Sequence, residues 1–182
     1  ETVKEEMIRF TIPEGFTVRQ IADKLDREGI AASGELLALA DDTSQVRGDY
    51  TDDIPDDKQL KFRLEGYLFP ETYEMKKGST AKDIMNRMAQ ELDKKLQTLP
   101  PGWQDQLGKL GIDFHQMMTI ASLVEREVVD DNERALVAGV IYNRIREKMK
   151  LQIDATVQYL LDKPKERLLQ KDIDEAVSPY NT

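Results

Sequence analysis

The stretch TIASLVERE, Thr119 to Glu127, sets two carboxylates at one end of an otherwise apolar helical run. Helices rarely bury carboxylates without a partner or a task. At about 100° per residue, Met117, Ile120, Ala121, Val124 and Val128 share one face, with Glu125 and Glu127 on either edge and Arg126 opposite. Glu127 is flanked by Leu123 and Ile120, and Glu125 by Met118 and Ala121. Apolar flanks and the negative end of the helix dipole both disfavour an ionised carboxyl, so either residue is a candidate to hold a proton near neutral pH. The alternative is that both are boundary residues paired with Arg126, Arg134 or Arg144.

Working outward, Asp113 with Gln116 opens this helix, and Asp130, Asp131 and Asn132 break it. A further helix is predicted over roughly Glu133 to Met149, and one more over Ala155 to Leu161. Upstream, Thr80 caps a helix whose Ile84, Met88, Leu92 and Leu96 recur every four residues until Pro100, Pro101 and Gly102 stop it. That stripe is core packing. Near the start, Ile8, Phe10 and Ile12 alternate with Arg9 and Thr11, the period of a strand with one buried face. Thr17 with Gln20 forms a capping-box signature ahead of Val18, Ile21, Ala22 and Leu25, and Gly29 ends that helix. A shorter helix spans Glu35 to Ala40. From Asp41 to Gln59 the chain is polar, with Asp52, Asp53, Asp56 and Asp57 around Pro55, and reads as a linker of solvated acids. Further strand content is expected around Phe62 and Leu151. The fold class is α+β.

Composition narrows the function classes. With 35 acidic against 26 basic residues the net charge is -9, and no basic block is present to track a phosphate backbone, so nucleic acid is not an expected partner. The absence of cysteine excludes disulfides and thiolate chemistry. The longest nearly apolar stretch, Met117 to Val124, falls far short of the roughly 20 residues that span a bilayer. The lone His115 falls on the polar side of the glutamate helix and is expected to be exposed; with no second His or Cys, a zinc site is not expected. GxSxG, P-loop and GxGxxG patterns are absent.

Four motifs carry a resemblance: LEGYLFPETY (Leu64 to Tyr73), the VERE of the glutamate helix with ERALVAGVIYNRI (Glu133 to Ile145) behind it, LQIDATVQY (Leu151 to Tyr159), and SPYNT (Ser178 to Thr182). Together they resemble the membrane-anchored endolytic murein (lytic) transglycosylases of bacteria, the YceG-like family. The resemblance implies that one glutamate donates a proton to the glycosidic oxygen between N-acetylmuramic acid and N-acetylglucosamine. It then acts as base on the muramyl carbon-6 hydroxyl, which closes to a 1,6-anhydro end. A second carboxylate, as hydrolytic glycosidases need, is not required. Helical geometry does not choose between Glu125 and Glu127, but the family's catalytic position aligns with the second Glu of its E-K-E triplet, which is Glu127 here.

Glu125 would then be a neighbour. Asn143 and Arg144 are candidates to bind sugar acetamide or carboxyl oxygens. Gln152, Asp154 and Thr156 match the family's LQ-x-D-x-T pattern, with Asp154 equally an N-cap for the next helix. Glu65 matches a family motif, and Tyr67 and Phe69 are candidates to stack on sugar rings, although buried aromatics in turns are commonly packing. Tyr180 and Asn181 are expected to line a glycan groove. The organisation implied is a LysM-like subdomain over residues 1–45, the acidic linker over 46–59, and a catalytic domain over 60–182, incomplete at its C-terminal end. Glycan strands of peptidoglycan are the implied substrate and peptidoglycan synthases the implied partners. An N-terminal anchor outside this chain would hold it to the cell membrane, facing the extracytoplasmic side. Neither metal nor organic cofactor is implied. The rival reading is a non-catalytic glycan-binding or scaffold module.

Overall fold

The computed structural model describes residues 5–161, 165, 167–176 and 178–180, and these fall into two compact units, one ending at His115 and the other beginning at Gln116. The architecture is α+β, mostly helical with one two-stranded antiparallel sheet.

In the first unit the alternation at Ile8 and Phe10 produces strand β1, Met7–Thr11, with Phe10 buried and Arg9 exposed. Its partner is β2, Thr72–Lys76, in a register that sets Phe10 opposite Tyr73. The two rings lie 5.5 Å apart, the kind of cross-strand aromatic pair that fixes a short sheet. Helix α1, Val18–Arg27, begins at a complete capping box between Thr17 and Gln20 and buries Val18, Ile21, Ala22 and Leu25. It ends in a Schellman turn: Gly29 at φ +68° lets Ile30 N–H donate to Leu25 O at 2.9 Å. Helix α2, Ser33–Asp41, buries Leu36 and Ala40. Helix α3, Ala81–Leu96, is capped by Thr80 with Asp83 and turns Ile84, Met85, Met88, Ala89, Leu92 and Leu96 inward, as the four-residue stripe predicts.

Three findings differ from the sequence reading. The 46–59 segment is not a solvated tether, because Val46, Thr51 and Ile54 are buried in it while Asp52, Asp53, Asp56 and Asp57 remain exposed. Its backbone is tied to α3: Asp49 N–H donates to Asp93 Oδ2 at 2.9 Å, and Gly48 packs where an added Cβ would meet Ala89, Asp93 and Thr51 atoms at 3.3 Å. Hydrophobic anchors spaced among acids are hard to see by composition. The second strand is β2 and not a segment near Phe62 or Leu151, both of which lie in irregular chain. A short helix α4, Trp103–Leu110, was not expected; left-handed glycines at 102 and 111 bound it.

The second unit is helical. Helix α5, Phe114–Glu127, starts in the first unit and continues into the second; it is followed by α6, Arg134–Arg146, α7, Asp154–Leu160, and α8, Gln170–Glu175. Val124, Ile141 and Ile153 form its buried centre, with Ile120, Leu123, Val128, Val137, Ala138, Leu151 and Ala155 packed around them. Among the described residues no helix is long and apolar enough to cross a membrane.

Candidate active site

The packed face of α5 is made by Ile120, Leu123 and Val124 and is continued by Val128 just past its end, whereas Ala121 is exposed. This face is rotated from the one expected, and the rotation separates the two glutamates. By helical spacing, Glu127 falls within about 40° of the centre of the packed face and Glu125 more than about 100° from it. Glu127 comes one turn after Leu123 and Val124, at the end where the helix runs out. Both carboxylates are nevertheless exposed, so the shelter expected from sequence is absent in the chain itself. Among the described residues neither one has an ion pair or a side-chain hydrogen bond. Two of the three arginines considered as their partners are engaged elsewhere: Arg134 pairs with Asp131 at 2.8 Å, and Arg144 binds main-chain carbonyls.

The first half of the LQIDAT motif, Leu151 to Ile153, lies in the turn between α6 and α7, and its second half opens α7. Arg144 Nη1 donates to Leu151 O at 2.8 Å and Lys150 O at 3.1 Å, and more weakly to Gln152 Oε1 at 3.4 Å. Gln152 itself has φ +55°, a left-handed conformation that costs a side-chain-bearing residue roughly 1–2 kcal/mol. Its neighbours Leu151 and Ile153 pack in the same cluster as Ile120, Leu123 and Val124 of α5, so the turn lies against the helix that carries Glu127. Asp154 is the first residue of α7 and exposed; Ile153 occupies the cap position and makes no side-chain cap bond, so the capping role considered for Asp154 is not present. Thr156 is buried, with Oγ1 donating to Ile153 O at 2.8 Å. Tyr180 packs on Tyr159 of α7, ring centroids 5.3 Å apart. Tyr159 was not singled out from sequence, although it follows Thr156 by one helical turn. Asn143 is exposed on α6 beside Arg144. Asn181 lies outside the described residues.

The LEGYLFPETY residues belong to the first unit and do structural work there. Glu65 Oε1 accepts from Val18 N–H at 2.9 Å, supplying a carboxylate to the start of α1. Tyr67 is only 1% exposed and presents no face to a sugar ring. Its hydroxyl lies 2.9 Å from His115 Nδ1, and burial raises its pKa. His115 is therefore half-buried and bonded, contrary to the exposed position expected; burial lowers its pKa, opposed by Asp113 and Asp57. Phe114, the first residue of α5, stacks on Tyr50 at 4.1 Å. Phe69 is half-buried with Lys95 Nζ 5.3 Å from its ring centre. Tyr73 closes the motif by donating its hydroxyl to Phe69 O at 2.5 Å.

The described residues thus form an α+β fold with a glutamate that has no ion pair at the end of an apolar helix, in the same unit as an arginine-clamped turn. The chain belongs to the YceG-like family, whose model matches residues 1–182. It is 35% identical over 181 residues to an endolytic murein transglycosylase of Bacillus subtilis, covering 96% of this chain and 49% of that protein. It is 34% identical over 187 residues to one of Streptococcus pneumoniae, covering 94% and 33%. A crystal structure of a yceG-like protein from Listeria monocytogenes superposes with TM-score 0.78 at 33% identity, over 95% of this chain and 58% of that one. The chain thus spans about half, or less, of the length of these two transglycosylases.

Proposed function

We propose that this protein is an endolytic lytic transglycosylase that cuts the bond between N-acetylmuramic acid and N-acetylglucosamine within nascent glycan strands and leaves 1,6-anhydro-muramyl ends. Membership of a family whose members include murein transglycosylases supports the substrate. The observation that carries the mechanism is Glu127: unpaired among the described residues, on the packed side of α5 and at its open end.

Glu127 donates a proton to the leaving glycosidic oxygen and then takes one from the muramyl carbon-6 hydroxyl as that oxygen closes on the anomeric carbon. The carboxyl of Glu127 is exposed in the chain, so the shelter this chemistry requires comes from the bound strand, which excludes water as it covers the side chain. Glu125 faces away and takes no direct part. Asn143, Gln152, Asp154 and Tyr180 supply polar contacts to the sugars. We assign Glu65, Tyr67 and Phe69 to support of the fold.

The same reading makes residues 1–45 a LysM-like subdomain, supported by the order β1, α1, α2 and by the packing of α1 on α2. It places the catalytic glutamate in the second unit, while residues 60–115, grouped with the catalytic part in the sequence reading, pack within the first. It also puts the protein on the extracytoplasmic side of the cell membrane, held by an N-terminal anchor and working with peptidoglycan synthases.

The test is end-group mass spectrometry of glycan strands incubated with the full-length protein. Anhydro-muramyl ends should appear with wild type and with Glu125→Gln, and vanish with Glu127→Gln. Identical products from wild type and Glu127→Gln would leave a glycan-binding scaffold as the better account, and reducing muramic acid ends would indicate a hydrolase.

A further inference from the structure

Only two described residues other than glycine have left-handed backbone, Lys148 and Gln152. Lys148 is accounted for by the end of α6. Lys148 N–H donates to Ile145 O at 3.1 Å and Met149 N–H to Arg144 O at 2.8 Å, which is the Schellman arrangement that requires a left-handed residue after the cap. Gln152 ends no helix, and glycine, the residue that adopts this conformation freely, is not used there. What holds it is the Arg144 guanidinium, bound to the carbonyls on both residues before it and to its side-chain oxygen.

Arginine only donates, so the Gln152 atom facing it has to be the carboxamide oxygen. That leaves Gln152 Nε2 as a donor on an exposed side chain, without a protein partner among the described residues. A left-handed residue clamped from behind and presenting an unused donor beside α5 is arranged for something outside the chain.

We propose that Arg144 is a positioning residue for glycan binding. It does not touch the sugar; it fixes the 150–152 turn and orients Gln152, whose carboxamide N–H donates to an acetamido carbonyl oxygen of an N-acetylated sugar. This rests on the glycan-processing reading above and revises the direct sugar contact first considered for Arg144.

The experiment is a double-mutant cycle in the full-length protein, reading Kd for purified glycan strands by calorimetry and anhydro-end formation by mass spectrometry. Gln152→Ala should weaken binding roughly five-fold, the loss of one net hydrogen bond. Arg144→Ala should do the same, and the double variant should again show about five-fold and not the product of the two. At limiting strand the rate of anhydro-end formation should fall by the same factor in all three, the loss being carried by KM. Because Arg144→Ala removes contacts that hold the turn, Gln152→Gly serves as an independent arm: it relaxes the backbone, so its melting temperature should be unchanged or higher while binding falls by the same factor. Independent, multiplying effects, or a Gln152→Ala or Gln152→Gly protein that binds as wild type, would overturn the assignment. Wild type that binds strands without cutting them would sink the enzymatic reading and leave this cycle readable, whereas no binding at all would sink both.

Discussion

Replacing Glu65 by alanine separates a structural role for the LEGYLFPETY motif from a substrate-binding one. At the start of α1 the capping box occupies two backbone donors: Thr17 N–H binds Gln20 Oε1 at 2.8 Å and Gln20 N–H binds Thr17 Oγ1 at 3.2 Å. The N–H of Val18, between them and only 2% exposed, is served by Glu65, 47 positions away. Losing that acceptor leaves a buried donor unsatisfied, at about 1–3 kcal/mol, and removes a carboxylate from the positive end of the helix, at about 0.3–1 kcal/mol. A destabilisation near 2 kcal/mol corresponds to a melting temperature lower by roughly 4–8 °C for a chain of this size. Glu65→Gln, which keeps an acceptor oxygen, should recover about half. Thermal and urea unfolding read the stability, and strand binding by the folded fraction should match wild type. Stability within about 0.5 kcal/mol of wild type combined with weakened strand binding would refute the reasoning and return Glu65 to the glycan.

Three further outcomes follow from the packing and electrostatics. Leu25→Ala, at a fully buried position of α1, should cost about 2–5 kcal/mol in urea unfolding; a loss under about 1 kcal/mol would mean that the first unit is less tightly packed than described. Burial raises the pKa of Asp93 above 3.8, so its contribution is full below that pH and is lost as pH rises through the folded value. Asp93→Asn keeps an acceptor for Asp49 N–H and should therefore be as stable as wild type or more so at neutral pH, with the difference closing on acidification. For His115 the folded pKa lies below 6.5, so its contribution is present above that value and is lost as pH falls through the lower one. The melting temperature of His115→Gln should accordingly fall less steeply on acidification than that of wild type, and parallel pH curves would count against the buried Tyr67 contact.

Local signals were legible where one residue type does one job. Thr17 with Gln20, Thr80 with its four-residue stripe, and the alternation around Phe10 announced α1, α3 and β1 because caps and periodicity are written in adjacent residues. What escaped was pairing at a distance. Tyr73 and Met75 alternate, but that they form a strand is decided by β1, some sixty positions earlier. The 46–59 segment reads as acid-rich, and its anchorage is revealed by the burial of Val46, Thr51 and Ile54 and by the contact of Gly48 and Asp49 with α3. At the candidate site, the motifs named Glu127, Arg144 and Gln152. Their division of labour was hidden, because hydrogen-bond direction and a backbone φ of +55° leave no mark in residue spacing. His115 was misplaced for a related reason: helical phase described the helix to which it belongs but not the tyrosine that reaches it from another element.

The pairing of β1 with β2 bears on how this protein can be dissected. A chimera that grafted only the first forty-five residues onto another protein would strand β1 without its neighbour and leave Ala40 O without the Leu64 N–H that it accepts at 3.1 Å. A transplantable cassette has to run past Lys76 and through α3, whose Asp93 and Met88 hold the intervening turns. Inheritance of this piece by recombination would face the same minimum length.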